Sequence, residues 1–158
     1  MQHIRLRRFV KNDKKAVDLL HIQGLKQSDS YINEPEARQQ LDADLIDIRK
    51  TYIKNGGEFI VATLNNKIIG MGALKRIDKI TAEIKRMRVK PEFQGRGIGK
   101  MILDKLIEKA KEVGCKKLVL DTGIKQVPAQ GLYQSRGFKE YKRGEIFGQN
   151  TIYYELSI

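Results

Sequence analysis

Between Ile80 and Val113 the chain runs from a strand pattern, through a glycine-rich turn, into a long helical pattern. "ITAEIKRMRV" at 80–89 reads as a strand, and Pro91 ends it. From Ile98 onward the apolar positions 98, 102, 103, 106, 107, 110 and 113 share one helical face, and Gly114 stops the helix. The turn between them, "QGRGIGK", places glycine at 95, 97 and 99. Glycine costs backbone entropy wherever it sits, so a cluster signals a sharp turn or a group approaching the backbone. A strand, a glycine turn and a long amphipathic helix make a crossover whose helix must pack across a sheet.

The first amides of such a helix lack intrahelical partners and carry the positive end of its dipole. That setting favours an anion, and phosphate is a common one. Two phosphate motifs fail on the letters. A P-loop needs glycine where Gln94 stands and Ser or Thr where Met101 stands. A dinucleotide fingerprint needs a third glycine at Lys100 or at Ile102. By its letters alone, the loop is a phosphate cradle or a tight turn with solvated lysines.

A length of 158 residues fits one domain, taken here as 1–158. No apolar run reaches the roughly 18 residues of a membrane span, and the N-terminus has no signal-peptide core. The single cysteine, Cys115, allows no internal disulfide and fits a reducing cytoplasm. His3, His21 and Cys115 share no ligand spacing, so no metal is expected and both histidines read as surface or structural. The net charge of +12 points to an anionic partner. Eleven basic and four acidic residues between Lys85 and Lys117 put +7 around the loop. Six acids against Arg38 give −5 between Ser28 and Asp47.

Elsewhere "IRLRRF" at 4–9 reads as a strand, and Asn12 or Asp13 can cap a helix carrying Ala16, Val17, Leu19, Leu20 and Ile22. Pro35 opens a second helix, with Leu41, Leu45, Ile48 and Tyr52 at helical spacing and Gly56-Gly57 as its stop. "EFIVATL", Asn65-Asn66 and "KIIGMGAL" form a hairpin with a tight turn. "KLVLDT" is a buried strand, and a helix from Pro128 is closed by Gly137. "FKEY" and "NTIYYELSI" are final strands joined through Gly144 and Gly148. The order β-α-α-β-β-β-α-β-α-β-β is one mixed α/β (α+β) fold.

"IKRMRVKPEFQGRGIGK" and, farther on, "AQGLYQSRGF" at 129–138 together resemble the GNAT superfamily of acetyl-CoA-dependent N-acetyltransferases. Gln94-x-x-Gly97-x-Gly99 matches that family's pyrophosphate signature, and Ala129-x-x-Leu132-Tyr133…Gly137-Phe138 its later element. The resemblance implies a mostly antiparallel sheet with a bulged, splayed strand pair and about four helices. Acetyl-CoA is the implied cosubstrate. Backbone amides of Gln94, Gly95, Arg96, Gly97, Ile98, Gly99 and Lys100 would hold its pyrophosphate, and Met87, Arg88 and Val89 would pair with its pantetheine arm. Gln126 stands where the family often has Asn for a cofactor contact. Arg88 replaces a common aromatic or small residue beside the acceptor. Homodimers are frequent in the family.

An amine attacks a thioester only when neutral, so some group must take its proton. Glu83 is the candidate base; alternatively it is an exposed strand carboxylate pairing Lys85 or Arg86. Tyr133 would return a proton to the departing thiolate, a phenol near pKa 10 facing a thiol near 8.5. Cys115 is excluded as a nucleophile because a 16-residue helix at 1.5 Å per residue separates it from the loop by about 24 Å. No nucleic-acid or membrane partner is expected, since Phe93 is the one aromatic near the basic loop. Two other functions compete with acetyl transfer: a coenzyme A-binding sensor without catalysis, and a basic nucleic-acid module. For the acceptor amine, the −5 segment favours a cation, while Arg88 is positioned to recruit a carboxylate instead.

Overall fold

Seven strands form one sheet in the order β1-β2-β3-β4-β5-β7-β6. The computed structural model describes residues 3–158, and the first two residues of the expected 1–158 domain lie outside them. The strands are β1 (Arg5–Arg8), β2 (Glu58–Leu64), β3 (Lys67–Arg76), β4 (Thr81–Val89), β5 (Lys117–Gly123), β6 (Lys139–Ile146) and β7 (Gln149–Ser157). Helices α1 (Lys14–Gln27), α2 (Pro35–Leu41), α3 (Ile98–Glu112) and α4 (Val127–Ser135) connect them. Every neighbouring pair is antiparallel except β4 and β5, the pair joined by the α3 crossover. Among the described residues no helix is long and apolar enough to cross a membrane.

The sheet carries a core on each face. On one face α3 lays Ile98, Ile102, Leu103, Leu106 and Ala110 against the sheet, joined by Tyr133, Phe138 and Tyr154. Gly72 of β3 lets that helix come close, because a Cβ there would stand 2.6 Å from Ile102 and from the Met87 sulfur. On the other face Val17 and Leu20 of α1 pack with Leu45, Ile48, Tyr52 and Phe59. The β2–β3 hairpin turns at Asn65 and Asn66, both at positive φ, as the Asn-Asn pair predicts.

Four expectations on the chain's path need correction. Leu19 is exposed and His21 takes the buried place in α1. Asp13 stands at the N-cap of α1 without capping it; its carboxylate accepts from the Val10 amide and from Arg7. The second helix is not continuous to Tyr52. It ends at Leu41 and resumes as a 3₁₀ turn at Ala43–Leu45 and a π-type turn at Arg49–Ile53. The break has a partner: the Leu41 carbonyl accepts from Arg86 Nη2 at 2.6 Å. Gly144 lies within β6 opposite Thr151, so the last hairpin turns at Phe147-Gly148 alone, both at positive φ.

Strand β4 has a bulge. Arg88 pairs with Met71 and Lys85 with Ala73, so Arg86 and Met87 share the space opposite Gly72. Arg86 sits there at φ 60°, in the left-handed region. The extra residue reverses the alternation of side chains. Ala82, Ile84, Met87 and Val89 all face the α3 core, while Arg86 and Arg88 turn to the α1–α2 side. Past Glu83, ahead of the bulge, β4 and β5 part. Thr81, Ala82 and Glu83 pair with Lys117, Leu118 and Val119, and no pairing between β4 and β5 follows although both strands continue.

Candidate active site

Each arm of that opening holds a cavity. The first, of ≈ 420 Å³, runs from Met87 and Val89 along the loop Gln94–Lys100 to α4. Gly95 and Gly97 have φ 75° and 80°, with nothing within 4 Å of where a Cβ would stand. Glycine is needed here for backbone conformation rather than for packing. The space above stays open to an approaching group. Gly97 is the N-cap of α3, so the first amides of a 15-residue helix face this loop unpaired. Gln94 ties the loop to the strand end by donating to the Val89 carbonyl at 3.0 Å.

A second cavity, of ≈ 230 Å³, lies toward α1, α2 and the β5–β7 wall, with Glu83 and Asp121 on it. The two cavities share Met87, Arg88, Gln126 and Tyr133. These four side chains mark the junction where contents of one cavity would meet contents of the other.

On the second cavity the acidic segment is already engaged. Asp44 receives Arg86 through Nε at 2.9 Å and through Nη2, and also the Tyr52 hydroxyl. Asp42 accepts from Arg38 and faces His21 Nε2 at 2.9 Å, with Arg86 Nη1 at 3.6 Å. Burial pushes both carboxyls up, but hydrogen bonds from Arg86 and Tyr52 to Asp44 and from His21 to Asp42, together with the nearby guanidiniums, outweigh it in sum and hold both below the usual range. Burial lowers the His21 pKa, so this histidine is neutral at pH 7 and structural. Asp42 and Asp44 are therefore neither the wet face of a helix nor a free acidic wall. Arg86 does not pair with Glu83, because the bulge delivers it to Asp44 instead.

Glu83 is one-fifth exposed, with the Lys85 ammonium at 3.9 Å. Burial raises its pKa, Lys85 pulls it down, and Asp121 and Asp44 add to the rise; the net is upward. Tyr133 is buried against Phe138 and Tyr154. Burial holds its phenol well above the usual value, although Arg88 pulls the other way, so it keeps its proton. Cys115 is buried in the core below the far end of α3 and lines neither cavity.

Of the residues singled out on sequence, Met87, Arg88, Val89, Gln94, Gly95, Gly97, Ile98, Gly99, Lys100, Gln126 and Tyr133 line the first cavity, and Glu83 the second. Arg96 lines neither; its guanidinium lies over the Phe93 ring, 5.3 Å from the centroid. Gln126 holds Arg88, accepting from Nη1 at 3.1 Å. Sequence reasoning missed the end of α1, where Gly24, Gln27 and Ser28 close the first cavity. The available signal was a glycine inside a helix. Nothing local marked the cluster of His21, Asp42, Asp44 and Arg86.

Comparison with known proteins agrees with this geometry. N-acetyltransferase 8 of Homo sapiens is 35% identical over 113 residues, which cover 68% of this chain and 49% of that protein. The chain thus spans about half the length of that relative. A GNAT-family acetyltransferase structure from Staphylococcus aureus Mu50 superposes with TM-score 0.87 at 26% identity, over 98% of this chain and 99% of that one. Another, from Elizabethkingia anophelis with acetyl-CoA bound, gives TM-score 0.69 at 26% identity, over 98% of each chain. The family model for the acetyltransferase (GNAT) family matches residues 21–138, and the chain belongs to that family.

Proposed function

We propose that this chain transfers the acetyl group of acetyl-CoA to a primary amine, directly, in a ternary complex. The observation carrying this reading is the junction: a glycine-loop cavity and a Glu83 cavity meet at Met87, Arg88, Gln126 and Tyr133. The open loop at Gly95–Gly97 and the amides of α3 suit a pyrophosphate, and Lys100 adds charge beside them. The edge of β4 past Glu83, unpaired with β5, offers backbone groups to the pantetheine arm and to the acetyl carbonyl. That the Elizabethkingia neighbour holds acetyl-CoA supports the same cosubstrate here.

In this reading Glu83 takes a proton from the amine, directly or through water. Its raised pKa brings it closer to the working pH than an exposed carboxylate. The neutral nitrogen attacks the thioester carbon, the C–N bond forms, and the C–S bond breaks. Tyr133 gives its proton to the departing sulfur and is re-protonated, directly or through water, by the second proton that the nitrogen sheds as the amide forms. Neither cavity is lined by a cysteine, which supports direct transfer over a thioester on the enzyme. The test is thiol release from acetyl-CoA against a panel of amines, amino acids, polyamines, aminoglycosides and peptides. Intersecting initial-rate lines are expected. Parallel lines would indicate an acyl-enzyme, and silence with tight coenzyme A binding would leave a binding protein.

A further inference from the structure

Arg88 stands at the junction of both cavities, and its charge is unmatched. Arg38 and Arg86 are offset by Asp42 and Asp44, two guanidiniums against two carboxylates. No carboxylate among the described residues pairs with Arg88. Its Nη1 donates to the Met87 carbonyl and to Gln126, both at 3.1 Å. Its Nε is shut away from solvent without a hydrogen-bond partner. Its Nη2 bonds to no protein group and is not enclosed, which leaves a donor available to a molecule in the cavity. Burying a cation without an anion is costly, so this arrangement suits a site completed by a ligand. Burial accordingly pushes the guanidinium down to about 10.

The fold makes room for this side chain. A Cβ on Gly24 would stand 2.5 Å from Arg88 Cδ and 2.8 Å from Nε. Gly24 is inside α1, where glycine is about 1 kcal/mol worse than alanine. Arg88 thus lies flat on a bare stretch of helix, with Gln126 fixing its far end. Across the same cavity Glu83 and Asp121 supply negative charge.

We propose that Arg88 binds a carboxylate of the acceptor, which is therefore a small amine of amino-acid type. This assignment rests on the acetyl-transfer reading for its chemistry. Guanidinium and carboxylate form a strong, oriented pair, and Gln126 with the Met87 carbonyl pre-orients the fork. The acceptor's amine end would then point to Glu83. The phosphates have their own donors at the loop and do not need Arg88.

The experiment compares amino acids with their carboxamides, which keep the amine and lose the carboxylate charge. The wild type should favour the amino acid by about 10²-fold in kcat/KM, the worth of a hydrogen bond to a charged group. Arg88→Ala should erase that preference, lowering kcat/KM on amino acids about 10²-fold more than on carboxamides, beyond any loss the two share. Gly24→Ala should raise KM for amino acids about 10-fold more than for carboxamides, because the new methyl displaces the arginine. Equal losses on acids and amides in Arg88→Ala would overturn the proposal, as would a wild type that prefers polyamines. If no amine is acetylated, calorimetric binding of N-acetyl amino acids in the presence of coenzyme A replaces the rates. Binding abolished by Arg88→Ala would then uphold the carboxylate site while the acetyl-transfer reading fails. Binding indifferent to Arg88, or no binding at all, would reject it.

Discussion

The two cavities that meet at Met87 are built from different materials. The larger one is made of backbone: glycines at positive φ, the free amides of α3 and an unpaired strand edge. The smaller one is made of side chains from distant segments, held by ion pairs among residues 38, 42, 44 and 86 and by the hydrogen bond between His21 and Asp42. A backbone site presents the same groups whatever residues flank it, provided the glycines remain. A side-chain site changes with each substitution on its walls. On the proposed reading the common cosubstrate occupies the first cavity, and acceptor choice belongs to the second.

The largest effect expected from this contrast is on the loop. Gly97→Asp puts a carboxylate where a pyrophosphate would approach, at a backbone φ of 80° that Asp tolerates better than most residues. Coenzyme A binding should weaken by about 10³-fold, with a melting temperature within a few degrees of wild type because nothing packs against the site. Unchanged calorimetric binding would reduce the loop to a tight turn.

On the other side the same kind of charge change should act on stability. Asp44→Asn leaves Arg86 buried beside a neutral amide, and should cost about 3 kcal/mol by denaturant unfolding. The pH dependence has a definite sign. The folded pKa of Asp44 lies below its unfolded value, so its contribution is present above the unfolded pKa. It is lost as pH falls through the folded value. Wild type should therefore lose stability in acid below about pH 4, and Asp44→Asn should lose less. Equal acid sensitivity would show that the Asp44–Arg86 pair is not what holds the Ala43–Leu45 turn to β4.

The same contrast explains what could be read from the letters. Gln94 to Lys100 lies in one run, so its glycine spacing, its strand and its helix were visible together. The acceptor wall was not visible, because it depends on parity. Strict alternation would send Arg86 and Arg88 to the same face as Ile84. One extra residue in the bulge sends them to the opposite face, where Arg86 meets acids more than 40 positions earlier. The segment 35–52 kept its helical spacing in Leu45, Ile48 and Tyr52, and those residues are buried. Its continuity was lost because Arg86 takes the Leu41 carbonyl. Charge counting could not show that two of its acids, Asp42 and Asp44, have internal partners.

Where the cavities meet, the chemistry should respond more than the fold. Tyr133→Phe keeps the ring packed on Phe138 and Tyr154 and removes the proton. The value of kcat should fall about 10²-fold with acetyl-CoA affinity nearly unchanged, the low end for loss of a general acid. An unaltered kcat, with chemistry rate-limiting, would make Tyr133 a core residue only.

The smallest effect is expected at Glu83, and it separates a base from a structural carboxylate. Burial and the nearby acids raise its pKa, so lowering the pH protonates it sooner than an exposed glutamate. The rate of wild type should fall on the acidic side as that proton is taken up, and Glu83→Gln should abolish this limb. Above it, kcat should drop about 10-fold, less than the usual loss of a general base, because water can still take the amine's proton. Stability should move the other way. A raised folded pKa means that the ionised form is disfavoured by folding, so Glu83→Gln should unfold at the same temperature or higher near pH 7. A base would show lost rate with kept stability. If the acidic limb persists and stability falls instead, Glu83 is a partner of Lys85 that helps hold the sheet, and the proton leaves the amine by another route.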